Sequence, residues 1–241
     1  MAFDFSMITR YGGVLLEGLT YTLYICLIGL VIGLMMGAVL CWIKMKLPTW
    51  CSVIANMYIE FFRGTPFLIQ VFLLYYVGPV FGLDLSAMTA GMIGLSLYGG
   101  AYFAEIYRSG ILSIPKGQIE AAQALGISET AILFRIIIPQ MLGLILAPLA
   151  NQIITIVKES AILSVITVPE LTFVGQRAIS ETYNYVEVYT MVAILYWAIV
   201  SSLSILFGRL ERFATRHVRK EESPSQRFLY LKKQEVLREE G

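Results

Sequence analysis

Histidine occurs once in the 241 residues, as His217 near the carboxyl end, and cysteine three times. A single histidine removes paired-histidine zinc sites, Ser-His triads and Cys-His dyads as a basis for chemistry. No G-x-x-x-x-G-K-[ST] phosphate loop is present, so nucleotide phosphates have no such cradle here, and ATP driving any process would be hydrolysed on another chain. Cys26, Cys41 and Cys51 fall in or beside apolar stretches, where they read as small apolar residues rather than a metal or disulfide set. The short basic-then-apolar pattern of a cleaved signal peptide is missing too, because Asp4 and Arg10 precede the first apolar stretch. That stretch is expected to stay in the mature protein. No internal repeat relates one group of apolar stretches to another, although secondary transporters are frequently built from such repeats.

Charge is also scarce and unevenly placed: 15% of residues are charged against 57% hydrophobic, with a mean hydropathy of +0.72. Residues 19–43, 67–83, 85–104, 136–157 and 188–208 contain no Lys, Arg, Asp or Glu. Each has roughly the 17 to 25 residues that a helix needs to cross a hydrocarbon core of about 30 Å. Buried helices of soluble proteins are usually shorter and interrupted by charge. The fold class expected is an all-α membrane protein, a bundle of about five transmembrane helices. Fifteen of the eighteen Lys and Arg residues fall on one side of this map, leaving Arg10, Lys158 and Arg177 on the other. Basic loops favour the cytoplasmic side, which predicts an external amino terminus and a cytoplasmic carboxyl terminus.

Local signals divide the chain further. Gly29, Gly33 and Gly37 recur every four residues, laying small residues along one helix face so that another backbone can approach. Arg63-Gly64-Thr65-Pro66 predicts a chain break, with a new helix beginning near Pro66. A plain turn accounts for the Gly and the Pro; the Arg and the Thr hydroxyl leave room for a functional role. Between Arg108 and Gln140 the pattern is a short helix opened by Pro115, a left-handed cap at Gly126, and a second helix capped by Ser128 and starting at Glu129. Asn151, Gln152 and Thr155 make the second half of the fourth stretch polar, ahead of Lys158-Glu159-Ser160. Polar groups at membrane depth usually face a bundle interior or a water-filled path. A helix end emerging into the outer interface is the alternative. Arg209, Arg212, Arg216 and Arg219 share a face suited to anionic lipid heads.

The run Ile119-Glu120-Ala121-Ala122-Gln123-Ala124-Leu125-Gly126, followed by Ile138-Pro139, resembles the E-A-A…G…I-x-P signature of ABC importer permeases. Phe62-Arg63-Gly64-Thr65-Pro66, Ala101-Tyr102-Phe103-Ala104-Glu105 with Arg108, Ile114-Pro115-Lys116-Gly117-Gln118 and Lys158-Glu159-Ser160 look like the polar amino acid uptake branch. The resemblance covers roughly residues 15 to 215. It implies a type I ABC importer permease fold in a bacterial inner membrane. The implied parts are an extracytoplasmic segment over 1–18, a transmembrane domain over 19–212 with a cytoplasmic coupling loop at about 109–135, and a cytoplasmic tail over 213–241. Glu120, Ala121, Ala122, Gly126 and Pro139 are the implied contacts to an ATPase. Implied partners are ATP-binding ATPase subunits, a second permease subunit (a copy or a paralogue), an extracytoplasmic solute-binding protein and membrane lipid, with no nucleic acid. No cofactor is expected on this chain, ATP-Mg belonging to the ATPase.

Under that reading the chain has no chemistry of its own and passes a polar amino acid by alternating access. Thr65, Gln70, Glu105, Asn151, Lys158, Glu159 and Ser160 are the polar residues placed at helix breaks or span ends to line the path. An ion-coupled carrier or channel is the alternative, which would be expected to place acidic residues for a coupling ion in the bilayer. A membrane-embedded enzyme is a third reading, opposed by the missing catalytic clusters.

Overall fold

The computed structural model describes residues 4–214, and every regular element among them is a helix. His217 and the tail lie outside the described residues. Helix α1 (Ser6–Lys46) runs 41 residues, about 60 Å at 1.5 Å per residue. It runs through residue 18 without interruption, with Tyr11, Leu15 and Gly18 on its buried face.

Helix α2 (Thr49–Gly64) is bent by 110° against the segment Phe67–Phe81. That segment combines α3 (Phe67–Phe72), a wide π turn at Leu73–Val77 and a 3-10 turn at Gly78–Phe81. It reaches only about 20 Å, so the stretch 67–83 does not cross a membrane alone as expected. Pro66 and Pro79 set its limits, one opening α3 and one opening the 3-10 turn.

Among the described residues three helices are long and apolar enough to span, Ser6–Lys46, Glu129–Ile166 and Tyr185–Ala214, and the bent pair can make a fourth. Helix α4 (Ala87–Leu112) has the length, at 26 residues, but Gly91, Gly94, Gly99 and Gly100 dilute its hydropathy. It is the centre of the bundle, with α1, α2, α3 and the later α7 packed on it. Together these elements agree with the expected count of about five.

The four-residue glycine stripe of α1 packs on α4. A Cβ at Gly29 would sit 2.8 Å from Leu95 Cβ, one at Gly33 would sit 3.3 Å from the Ser96 carbonyl oxygen, and one at Gly37 would sit 2.6 Å from Phe103 Cβ. Cys26 and Cys41 are buried in the same face and Cys51 is half-buried, all three as free thiols.

Helix α5 (Lys116–Ala124) and α6 (Glu129–Ile132) follow, and a wide π turn at Leu133–Ile137 carries α6 straight into α7 (Ile138–Glu159). The second helix of the expected coupling pair and the fourth span are thus one element. Pro139 does not interrupt it, because it occupies the first turn of α7 and the preceding wide turn absorbs its lost N–H. Helix α7 packs on α4 at Gly110, against Met141 and Ile145, at Gly99, where an added Cβ would sit 3.0 Å from Ile156, and through the following 3-10 turn (Ser160–Ile166) at Gly91, where one would sit 3.0 Å from Leu163.

The chain closes with α8 (Leu171–Thr182) and α9 (Tyr185–Ala214). A second core cluster of Met7, Tyr11, Leu15, Leu171, Ile179, Val188 and Val192 joins them to the start of α1. The Tyr11 hydroxyl donates to Glu181 Oε2 at 3.0 Å there. At the opposite end Lys44 pairs with Glu105 and Lys46 with Glu129.

Candidate functional site

Two chain breaks meet α4 near its middle. The first is Arg63 to Pro66: the Phe67 ring lies 5.2 Å from that of Tyr98, and the Arg63 guanidinium lies 5.3 Å over the Tyr102 ring. Thr65 and Gln70 lock this break. Thr65 Oγ1 donates to Phe61 O at 2.7 Å, and Gln70 Nε2 donates to Phe62 O, Thr65 O and Thr65 Oγ1 at 2.9, 3.0 and 2.9 Å. Phe62 is in the last turn of α2, where carbonyls run short of helical partners, and Phe61 O also accepts from Thr65 N at 3.1 Å. The structure therefore gives both residues a definite job in shaping the break.

The second break follows α7, whose last turns run past Gly99 to Glu159 and into the 3-10 turn. Asn151, Thr155 and Lys158 are three or four residues apart, so they share one face, and Asn151 and Lys158 are exposed while Thr155 is half-buried. Lys158 makes no ion pair among the described residues. Facing hydrocarbon at this depth, a lysine would cost about 3 kcal/mol on insertion scales. The next face of α7, toward α4, carries Gln152, Ile156 and Glu159, of which Gln152 is buried and Glu159 half-buried. Tyr98, 7% exposed, lies on α4 with its ring 4.8 Å from that of Tyr102. Ser160 is fully buried and donates to Val157 O at 2.8 Å.

Glu105 stands apart from this group. It accepts from Lys44 Nζ at 2.7 Å and from Arg108 Nη2 at 2.7 Å, with 17% of its side chain exposed. Two cations already neutralise it, and it ties the end of α1 to α4.

The segment around Gly126 has the opposite character, thinly packed and projecting. Only Ala122 of α5 is buried, against Ile114, Ile132 and Ile137. Glu120, Ala121 and Pro139 are exposed, and Leu125 is 79% exposed. Gly126 has φ +72°, and the Ile127 N–H donates to Ala122 O at 3.1 Å, closing the helix end as expected. No atom lies within 4 Å of where a Gly126 Cβ would be, so the backbone angle and not crowding calls for glycine. Ser128 caps α6 by accepting from Ala131 N at 3.4 Å.

Sequence reasoning passed over Glu170. It is fully buried at the start of α8, where Oε2 accepts from Thr172 N at 2.9 Å and from the Tyr196 hydroxyl at 2.8 Å, and Oε1 accepts from Phe173 N at 2.8 Å. Beside it, Thr22 Oγ1 accepts from Leu171 N at 3.0 Å, which ties α1 to the same helix start. The available signal was Pro169-Glu170 directly before an apolar helix, a capping pattern.

Similarity to known proteins agrees with this arrangement. Residues 29–216 match the family described as "Binding-protein-dependent transport system inner membrane component". A "Glutamine transport system permease protein GlnP" of Escherichia coli (strain K12) is 38% identical over 215 residues, 88% of this chain and 98% of that protein. A "Probable amino-acid ABC transporter permease protein YckA" of Bacillus subtilis (strain 168) is 37% identical over 203 residues, 84% of this chain and 90% of its own length. The structure titled "Crystal structure of an amino acid ABC transporter with histidines" superposes with a TM-score of 0.83 at 37% identity, over 88% of this chain and 99% of the matched one. An inward-facing methionine ABC transporter, MetNI, shares the fold with a TM-score of 0.69 at 21% identity. A helical membrane bundle with broken elements beside a central helix, and a projecting helix-glycine-helix segment, places this chain in the family of binding-protein-dependent transport system inner membrane components, as a permease subunit of an ABC importer.

Proposed function

We propose that the solute this permease passes is a polar amino acid, and that ATP hydrolysed on a separate subunit drives it. The observation that carries the reading is the polar face of α7, with Asn151, Thr155 and Lys158 turned outward beside the middle of α4. A face like this is unstable against lipid and stable against a water-filled path or a second permease subunit. Lys158 offers a positive charge to the carboxylate of a zwitterion, and Glu159 a negative one to its ammonium. The names of the GlnP and YckA relatives support the substrate class. Thr65 and Gln70 belong to the path as shapers of its broken wall, and Ser160 as the buried start of the second break. Glu105 has less to recommend it, given its two cationic partners.

Energy enters through the segment around Gly126. Glu120, Ala121, Ala122, Gly126 and Pro139 form or support a projecting knob with Leu125 at its tip, the kind of apolar anchor that seats in a partner's groove. Closure of two ATPase subunits moves this knob, and two permease subunits rock about the path. A solute-binding protein delivers the amino acid at the opposite face. The clustering of basic residues toward the Lys44 end supports a cytoplasmic coupling segment and carboxyl terminus with an external amino terminus.

Reconstitution in proteoliposomes tests this. Uptake of labelled glutamine and arginine is measured with and without the cognate ATPase, with internal ATP, and separately under an imposed proton or sodium gradient. Uptake that requires both ATPase and ATP is expected. Gradient-driven uptake by the permease alone would instead establish the ion-coupled carrier.

A further inference from the structure

Helix α5 is joined to the rest of the chain, among the described residues, by a single side-chain hydrogen bond. Gln140, in the first turn of α7, donates from Nε2 to Gln118 Oε1 at 2.8 Å. The other attachments of α5 are slight. Ala122 is its one buried residue, Ile119 packs beside the same small cluster, and the Ile127 N–H closes the helix end on Ala122 O. Gln118 stands four residues before Ala122 and so shares its face, whereas Glu120 lies on the far side of the helix and is exposed. The inward face of α5 thus has a polar seat as well as an apolar one.

The direction of the bond is fixed by a second one. The same Gln140 Nε2 donates to Ile136 O at 2.9 Å, inside the wide π turn at Leu133–Ile137. A carbonyl oxygen can only accept, so Gln140 presents its NH2 group at this place and Gln118 has to be the acceptor. Both hydrogens of that group are then engaged, one on α5 and one on the turn. Single wide turns within helices are found mostly at functional places. Downstream, α7 continues for 22 residues, about 33 Å, to Lys158 and Glu159. A displacement of its first turn therefore reaches the second break along one helix. The pair of Lys46 with Glu129 supplies the contrast: it reaches α6 from α1, is exposed on both sides and leaves α5 untouched.

We propose that the Gln118–Gln140 hydrogen bond is the latch through which a displacement of α5 moves the π turn and α7, so that both glutamines are positioning residues for energy coupling. This rests on the reading above that energy enters through the segment around Gly126, and it assigns the step between that segment and the path. Without the latch, α5 can be pushed by a partner and swing on Ala122 alone, and the stroke is lost before it reaches α7.

The assembled importer in proteoliposomes, permease with its ATPase and solute-binding protein, isolates this bond when uptake of labelled glutamine is divided by ATP hydrolysed. Because Gln118 accepts and Gln140 donates, isosteric changes at the two positions have opposite outcomes. Gln118→Glu keeps an acceptor and should couple within twofold of wild type. Gln140→Glu removes the donor, sets a carboxylate against two oxygens, and should lower uptake per ATP about three- to tenfold, the range that one hydrogen bond covers. Gln118→Leu and Gln140→Leu should each fall similarly, and the double leucine variant no further than either alone. ATPase retained on purification, basal ATP hydrolysis and Tm should stay at wild-type values throughout. Uptake per ATP within twofold of wild type in both leucine variants would overturn the inference. Equal losses in Gln118→Glu and Gln140→Glu, or losses that track detachment of the ATPase, would overturn it too, by reducing the pair to packing or assembly. Wild-type uptake that is absent, or that proceeds without ATP hydrolysis, would remove the coupling reading beneath it and the inference with it.

Discussion

The two sides of α4 are built on opposite plans. Toward α1 it offers Leu95, Ser96, Gly100 and Phe103, met by Gly29, Gly33 and Gly37 so closely that no added Cβ fits without a shift. Toward α3 and α7 it offers Tyr98 and Tyr102, met by the Phe67 ring and the Arg63 guanidinium beside the face of α7 that carries Gln152 and Glu159. Backbone packed on backbone gives van der Waals contact and nothing for water or solute to enter. Long polar side chains leave partners to be found. One helix thereby separates a fixed scaffold from a wall that can bind and release.

The largest effect should come from breaking the fixed side. Gly37→Val places its Cβ at 2.6 Å from Phe103 Cβ, and overpacking of this kind costs about 1 to 3 kcal/mol or more. Loss of membrane-inserted protein, or a Tm fall of several degrees, is expected, measured on detergent-purified protein. Glu170→Ala should be nearly as severe. It removes the cap of α8, strands two backbone N–H groups and leaves the Tyr196 hydroxyl only Thr172 Oγ1, about 2 kcal/mol or more in total. Thermal unfolding of Glu170→Ala, Glu170→Gln and Tyr196→Phe separates the parts, with Glu170→Gln intermediate because its one oxygen replaces two.

Smaller effects belong to the segment that projects from this scaffold. Gly126→Val forces a β-branched residue to φ +72°, whereas Gly126→Asn tolerates that angle. Valine should leave the protein in the membrane, with the penalty of about 1 to 2 kcal/mol falling on the helix end, and reduce the uptake gained per ATP hydrolysed. Asparagine should couple nearly as wild type. Comparing uptake with ATPase rate in both variants checks this. Least of all should follow from Lys46→Ala, since its pair with Glu129 is exposed on both sides and such pairs contribute about 0 to 1 kcal/mol. Uptake and Tm indistinguishable from wild type are expected.

The fixed side of α4 was the more legible in sequence. Three glycines at four-residue spacing announce a close helix contact, and Gly126 with Ser128 announces a corner, because each depends on residues near one another in the chain. The depth of the breaks was not legible. A charge-free stretch such as 67–83 looks like a full span, and only tertiary contact of Phe67 with Tyr98 puts its start beside the middle of α4. Continuity of α6 with α7 was hidden for a similar reason, since Pro139 reads as a boundary until the wide turn before it is seen. Among the path residues the helix period puts Asn151, Thr155 and Lys158 on one face. The partners that occupy Gln70 and Glu105 come from the three-dimensional arrangement alone. Glu170 was missed because the groups that donate to it come from α8 and α9 together.

Thiol labelling along α4 tests the division most directly. In a background carrying Cys26→Ala, Cys41→Ala and Cys51→Ala, single cysteines replace Ser96, Tyr98, Gly100 or Tyr102, and the assembled importer is treated with a membrane-impermeant, water-soluble thiol reagent. Labelling at positions 98 and 102, slowed by added amino acid, with none at 96 and 100, is the predicted pattern. Equal labelling at all four, or labelling confined to 96 and 100, would contradict the assignment of scaffold and path to opposite sides of α4.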